Sequence, residues 1–252
     1  MGKAASKYEQ IIEKIFWQNY SDGDVKVPFE REQLVMAGQE LGFDRIKNLG
    51  DIIYSFRFRR KLPVSILETQ PSGMEWLIYS VGIGQYEFQL LPELDLVPKS
   101  SYEVIELLDS TPGVIAKFSF TDEQALLAVL RYNRIVDIFL GITCYSLQSH
   151  LKTSIKGLGS METDELYIGI DKEGRNYVIP VEAKGGNDKI GRVQIDQDFA
   201  LCDEKFSELI CIPVAAQFLG NDRIALFRFT RKNGETLISE EKHYQLIHKD
   251  SV

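Results

Sequence analysis

The sequence is poor in cysteine and histidine, the residues that cross-link small folds through disulfides or zinc. Its 252 residues include three cysteines and three histidines, and neither a CxxC nor an HExxH pattern occurs. An odd number of scattered cysteines disfavours a disulfide framework or a cysteine zinc site, and the missing HExxH pattern disfavours a zinc protease. We therefore expect a protein of the reducing cytoplasm.

Long apolar runs and an excess of positive charge are also missing. No run approaches the roughly 18 residues of a membrane-spanning helix, and the basic N-terminal segment lacks the apolar stretch of a secretory signal, so no membrane partner is expected. The formal net charge of −8 argues against coating nucleic acid by bulk charge. A nuclease stays open, because an acidic metal site can lie beside a local basic patch.

The remaining composition is that of an ordinary globular protein, with 44% hydrophobic and 26% charged residues. A chain of this length forms one large domain or two small ones. The change in pattern along the chain predicts an α/β (α+β) protein with two domains, 1–95 and 96–252.

The N-terminal third has the element order of a winged helix-turn-helix. Apolar spacing predicts three helices and then three strand-like segments separated by turn residues. These predicted elements are helices at 7–16, 29–41 and 47–59, and strands at 64–68, 75–81 and 85–90.

The third predicted helix ends in the densest basic cluster of the chain, Arg57, Arg59, Arg60 and Lys61, interleaved with Phe58. Basic residues around an aromatic ring suit phosphate contact and packing in a DNA groove. Cations also favour the C-terminal end of any helix through its dipole, so both interpretations stay open.

The middle of the chain predicts a linker and then a helix. Residues 99–120 are typical of a linker with a short strand at 113–120. Thr121 to Gln124 form a capping-box pattern that begins a helix ending near Gly141. The apolar stretch 142–151 either continues that helix or forms a second short one.

From residue 161 the pattern becomes a β-hairpin with polar residues at one end. Strand-like segments at 164–170 and 176–183 flank a turn, 172–175, that contains Gly174. Because residues i and i+2 of a strand share a face, Glu182 and Lys184 point the same way. Pairing across the turn would bring Asp164 near Glu182.

Two carboxylates and an ammonium group at one sheet edge suit metal-dependent cleavage of a phosphodiester. Adjacent carboxylates repel unless a cation bridges them, and Mg²⁺ accepts one or two protein carboxylates together with water and phosphate oxygens. A lysine beside the ion can orient water or stabilise charge that develops on phosphate. A solvated salt bridge at the strand end is the simpler interpretation of Glu-x-Lys taken alone.

Asp164, 17 intervening residues and then Glu182-Ala183-Lys184 resemble the PD-(D/E)xK nuclease superfamily in its type II restriction endonuclease branch. The resemblance covers roughly 121–230 and implies a restriction-endonuclease-like core with the order α-β-β-β-α-β in a mixed sheet. In it, helix 121–141 and strands 164–170 and 176–183 precede a helix at about 191–204 and a strand at about 209–219.

The resemblance also implies roles for single residues. Asp164 and Glu182 would bind Mg²⁺ with the carbonyl of Ala183, and Lys184 would activate water. Gln194 on the following helix would join the site, with Gln197 one turn on, and Glu162 would be an auxiliary acid. Thr163 stands where the motif has proline, which leaves the first acid open among Glu162, Asp164 and Glu165.

The predicted function is sequence-specific cleavage of double-stranded DNA by a type II restriction enzyme, which by resemblance is a homodimer. Lys152, Lys156 and Lys189 flank the motif and are candidate phosphate contacts. Two alternatives stay open: a structure-specific repair or recombination nuclease, and a DNA-binding regulator without catalytic activity.

Overall fold

The computed structural model describes residues 5–43, 48–118, 123–185, 188–220 and 222–247. The chain divides into two compact units, one of residues 1–93 with 154–160, the other of residues 94–153 with 161–252. The sequence places the boundary two residues later and does not anticipate the separate segment 154–160.

The first unit contains four helices and three strands within its described residues. They are α1 Lys7–Asn19, β1 Lys26–Glu30, α2 Arg31–Glu40, α3 Leu49–Phe58, α4 Val64–Leu67, β2 Met74–Gly82 and β3 Gln85–Pro92. The strands form an antiparallel sheet in the order β1-β3-β2. Apolar side chains of α1, α3 and the sheet, among them Phe16, Ile52 and Phe88, form one buried cluster.

Helix α1 shows how local sequence and packing agree in this unit. Ser6 caps its N-terminus in a capping box with Glu9, which satisfies two backbone N–H groups at the helix start. Ile11, Ile12, Ile15 and Phe16 are buried at the predicted helical spacing. The predicted strands at 75–81 and 85–90 are likewise confirmed as β2 and β3.

One strand of the first unit was not anticipated, and one predicted strand was wrong. Strand β1 was missed; only Val27 and Phe29 of its five residues are buried. It lies at the sheet edge, where Pro28 is tolerated. The predicted strand at 64–68 is instead helix α4, which Pro63 begins: its carbonyl accepts hydrogen bonds from the N–H groups of Ile66 and Leu67.

The second unit is built around a mixed sheet of eight strands within its described residues. Its elements are β4 Val104–Leu108, α5 Gly113–Phe118, α6 Glu123–Tyr132, α7 Ile135–Leu140, β5 Thr143–Ile155, β6 Gly159–Ile170, β7 Asn176–Lys184, α8 Arg192–Lys205, β8 Ile210–Cys211, β9 Val214–Gly220, β10 Arg223–Lys232 and β11 Glu235–Ile247. The strand order is β4-β11-β10-β9-β7-β6-β5, with the short β8 beside β7.

Helices cover both faces of this sheet. Strand β7 runs parallel to β9 and antiparallel to β6. Alternate residues of β9 face opposite sides: Val214 and Ala216 belong to a cluster with α6 and α7, while Ala215 belongs to a cluster with α8. Ala183 of β7 joins the first cluster. Glu182 and Lys184 therefore face the side of α8.

The connection before the sheet differs from the prediction. Residues 113–118 form helix α5 and not a strand, and the supposed linker contains β4, which pairs with β11. Thr121 and Asp122 of the predicted capping box lie outside the described residues. The predicted helix 121–141 is two helices, because Arg134 adopts a left-handed backbone conformation with φ of 51° between α6 and α7.

The prediction that the apolar stretch 142–151 is helical was wrong. Gly141, with φ of 66°, ends α7, and strand β5 begins at Thr143. Segment 143–147 alternates β-branched, aromatic and apolar residues with smaller ones, which suits a strand. Strands β10 and β11 beyond the predicted core were not anticipated either.

None of the helices in the described parts of the chain combines the length and the apolar character needed to cross a membrane.

Candidate active site

The hairpin of β6 and β7 forms as predicted and aligns its polar residues. Its ladder runs from the pair Ile170 and Asn176 to the pair Glu165 and Val181. Asp171 holds the turn, since its Oδ1 accepts hydrogen bonds from the N–H groups of Glu173 at 3.0 Å and Arg175 at 2.9 Å. This register brings Asp164 to the end of β7.

Asp164, Glu182 and Lys184 come together at this strand end. Oδ2 of Asp164 accepts hydrogen bonds from the Ala183 N–H at 2.9 Å and from the Lys184 Nζ at 3.2 Å. The same ammonium nitrogen lies 3.8 Å from Oε2 of Glu182. Asp164 is 7% exposed and Glu182 1%. Two buried carboxylates thus share one lysine.

Helix α8 adds a neutral hydrogen-bond donor to this cluster. The side-chain amide of Gln194 donates to Oε2 of Glu182. Gln194 lies in the first turn of α8, and Gly191 precedes the helix without a side-chain cap. Gln197 does not join the cluster: its Nε2 is buried and has no hydrogen-bond partner within the described residues.

The other two acidic candidates have different surroundings. Glu165 is fully buried, and its Oε2 accepts hydrogen bonds from Arg131 at 2.8 Å and Ser149 at 2.6 Å. Glu162 is exposed and lies 3.3 Å from His150 and 3.4 Å from Lys152. Of the three acids left open by the sequence, Asp164 is the one in contact with Lys184.

Sequence reasoning missed Asp198, a second carboxyl group on α8. It is fully buried, and its Oδ1 accepts a hydrogen bond of 2.6 Å from the Thr163 hydroxyl. Burial raises the pKa of Asp198 to about 8; the Thr163 hydrogen bond and the positive charge of Lys184 oppose the shift, while the negative charge of Asp164 adds to it. Helical spacing was the available signal, because Asp198 lies four residues after Gln194.

Gln217 is a second residue that the sequence did not reveal. It is a buried amide in the otherwise apolar strand β9, beside Lys184 in the parallel ladder. Its Nε2 donates to the carbonyls of Lys184 at 3.3 Å and Asp188 at 3.1 Å. Gln217 thereby ties the end of β7 to the segment that leads into α8.

Three lysines flank the motif along the sequence. Lys152, Lys156 and Lys189 are all exposed. A Cβ atom at Gly185 would meet nothing within 4 Å, so the main chain there is accessible. The next residue, Gly186, lies outside the described residues.

The basic cluster in the first unit has two kinds of members. Arg59, Arg60 and Lys61 are exposed, and the Arg59 guanidinium lies 4.7 Å from the centre of the Tyr54 ring. Arg57 instead packs 4.8 Å from the Phe58 ring centre, and burial lowers its pKa. Its Nε and Nη2 are buried without a hydrogen-bond partner in the described parts of the chain. These two atoms do not present charge at the surface.

The donor set of the cluster fits a hard divalent cation. In the described residues no group of three or more His, Cys, Asp or Glu side chains is arranged around a metal position. The oxygen donors brought together there are the carboxylates of Asp164 and Glu182, a small set of the kind that Mg²⁺ accepts when water and phosphate oxygens complete its shell. One ammonium group faces two buried carboxylates. That surplus of negative charge favours a further cation.

Comparison with known proteins returned no match, whether to a family model, to a curated protein or to a solved structure.

Proposed function

We propose that the protein is a Mg²⁺-dependent endonuclease that cleaves double-stranded DNA. The observation that carries the proposal is the contact of Lys184 with both Asp164 and Glu182, at 3.2 Å and 3.8 Å, beside the amide of Gln194. A solvated salt bridge does not account for it, because both carboxylates are buried and a second donor from another element reaches one of them.

Each residue has a role that its position supports. Asp164 and Glu182, with the Ala183 carbonyl, would hold Mg²⁺, which supplies a Lewis acid for the phosphate and lowers the pKa of water. Lys184 orients the attacking water and neutralises charge on the phosphate. Gln194 holds Glu182 in one orientation. Water adds to phosphorus and the bond to the 3′-oxygen breaks, which by the family resemblance leaves 5′-phosphate and 3′-hydroxyl ends.

The order of elements around the site supports the restriction-endonuclease-like core. Helices α6 and α7 precede the three strands β5, β6 and β7, and α8, the two-residue β8 and β9 follow. The order resembles the implied α-β-β-β-α-β order, except that the first helix is divided in two and β8 is inserted before β9. Strands β10, β11 and β4 extend that core on the side of β9.

The first unit supports the DNA-binding part of the proposal. Its order α1-β1-α2-α3-β2-β3, with the short α4 inserted before β2, resembles the helix and strand order of a winged helix. The exposed Arg59, Arg60 and Lys61 follow directly on α3, the helix that would enter the major groove. A homodimer in the cytoplasm, acting on a palindromic sequence, completes the proposal.

Incubation of the purified chain with unmethylated phage DNA tests the proposal, with Mg²⁺ in one arm and EDTA in the other. Discrete Mg²⁺-dependent fragments are expected, and sequencing their ends gives the recognition site. A smear of fragments, or cleavage confined to branched DNA, would contradict the restriction activity and favour a repair or recombination nuclease. Tight binding without cleavage under any divalent metal would contradict the enzyme and favour a regulator.

A further inference from the structure

Thr163 makes an unusual contact for the residue that precedes the first acid of the site. Its side chain is fully buried, and its hydroxyl donates a hydrogen bond of 2.6 Å to Oδ1 of Asp198. Thr163 belongs to β6 and Asp198 to α8, 35 residues further along the chain. The contact therefore joins the strand that carries Asp164 to the helix that carries Gln194.

The carboxyl group of Asp198 depends on this contact. Its other oxygen, Oδ2, is buried and has no hydrogen-bond partner among the described residues. Asp164 and Lys184 are near enough to act on it electrostatically. A buried polar group costs free energy unless it is hydrogen bonded, so loss of the Thr163 hydroxyl would leave the whole carboxyl group unsatisfied.

Helix α8 consequently contacts both strands of the hairpin. Gln194 and Asp198 are one turn apart on the same face of the helix. Gln194 donates to Glu182 on β7, and Asp198 accepts from Thr163 on β6. The two contacts fix the helix relative to both carboxylates of the cluster.

We infer that Thr163 and Asp198 form a positioning pair that sets the location of Asp164 for cation binding. Neither residue touches the phosphate or the ion; the pair acts through the main chain of β6. The inference rests on the proposed function, because it assigns the pair a role in the metal site of that enzyme. Partners of metal ligands, although they do not bind the ion, typically change metal affinity or activity by about 10–100-fold.

Four variants of the full chain separate the hydrogen bond from bulk and charge. Thr163→Val and Asp198→Ala remove it, whereas Thr163→Ser keeps the hydroxyl and Asp198→Asn keeps an accepting oxygen. Calorimetry measures Mg²⁺ affinity, thermal unfolding measures stability, and cleavage kinetics separate kcat from KM. We expect the first two variants to bind Mg²⁺ about 10-fold more weakly and to lose kcat at unchanged KM, and the Ser and Asn variants to recover both.

Reduced stability with unchanged Mg²⁺ affinity in Thr163→Val would show a purely structural contact and overturn the inference. If the single variants fail to fold, Thr163→Val combined with Asp198→Leu removes both polar partners at similar volume and leaves no buried group unsatisfied. Wild-type Mg²⁺ affinity in that double variant would overturn the inference and leave the proposed function standing. A wild-type chain that neither binds Mg²⁺ nor cleaves DNA would overturn the proposed function and the inference with it.

Discussion

The side-chain amide of Gln194 donates a hydrogen bond to Oε2 of Glu182, so helix α8 reaches back to the strand that precedes it. The donor occupies one oxygen of a carboxylate that is 1% exposed, and Lys184 lies 3.8 Å from the same oxygen. The orientation of Glu182 is therefore set by two elements that meet only in the folded chain.

Gln194→Leu should lower kcat with little change in KM, because the leucine fills similar volume but cannot hold Glu182. Removing a preorganised donor that acts directly on the reacting atoms lowers kcat by roughly 10²–10³-fold. A donor that acts through Glu182 should contribute less to kcat, about 10-fold. Steady-state cleavage of a short duplex measures both constants. Glu204→Gln, at the exposed end of the same helix, is the control. Equal kinetics in the two variants would remove Gln194 from the site.

Lys184→Ala should reduce cleavage by at least about 100-fold while DNA affinity stays close to that of the wild type, because the ammonium group acts on the reacting phosphate. Plasmid cleavage and gel-shift titration without Mg²⁺ measure the two properties. Lys205→Ala, an exposed lysine at the C-terminal end of α8, is the matched control. Retained cleavage in Lys184→Ala would show that the chemistry lies elsewhere.

Glu165→Gln should reduce mainly the stability of the protein, whereas Asp164→Asn should reduce mainly its cleavage activity. Glu165 pairs with Arg131, whose side chain is 42% exposed, and accepts hydrogen bonds from Ser146 and Ser149. Neutralising it should lower the free energy of unfolding by about 1–3 kcal/mol, towards the lower value because solvent screens the arginine. Cleavage by the folded protein should persist.

Asp164→Asn should abolish metal-dependent cleavage with a smaller loss of stability. Urea unfolding and cleavage assays on the same samples decide between the two acids. Loss of cleavage in a folded Glu165→Gln protein would transfer the role of first acid to Glu165.

Replacing both Arg59 and Arg60 with alanine should weaken DNA binding and flatten its salt dependence. Each phosphate contact contributes a slope of about −0.9 in log K against log salt, so the slope should fall by about 2. Lys172→Ala with Lys232→Ala removes two exposed cations of the second unit and serves as control. An unchanged slope in the variant that lacks Arg59 and Arg60 would show that these residues only stabilise the C-terminal end of α3 and do not contact DNA phosphates.

The turn between β6 and β7 should lose stability in acid. Burial raises the pKa of Asp171, but hydrogen bonds from Tyr177 and Arg175 and the charge of Arg175 outweigh it and lower the pKa to about 2, from an ordinary 3.8. A carboxyl group whose pKa is lower in the folded state stabilises the fold above about pH 4, and this contribution is lost as the pH falls to about 2.

Thermal unfolding between pH 2 and pH 7 tests the role of Asp171. Asp171→Asn should lower the Tm at pH 7 and make its fall between pH 4 and pH 2 shallower. Asp22→Asn, in an exposed turn, is the control. Parallel curves for Asp171→Asn and wild type would show that the Asp171 contacts do not contribute.

The sequence by itself determined the features that depend on neighbours along the chain. The apolar face of α1, the glycine turn between β6 and β7 and the register that follows from it are all local, so spacing predicted them. The register in turn predicted that Asp164 meets Glu182 and Lys184, because a short turn leaves few ways to align two strands.

Only the tertiary structure decided what depends on distant partners. Residues 143–151 were predicted to be helical, although their local pattern also suits a strand, and the pairing of β5 beside β6 decides between the two structures. Arg131 forms an ion pair with Glu165, and Lys184 forms one with Asp164. The sequence, in which three acidic residues lie close together in one strand, does not show which of them pairs with which cation. Thr163 and Asp198 are in contact because strand β6 and helix α8 pack together. Their hydrogen bond is buried, so its loss would leave a buried carboxyl group unsatisfied, and sequence spacing does not predict this.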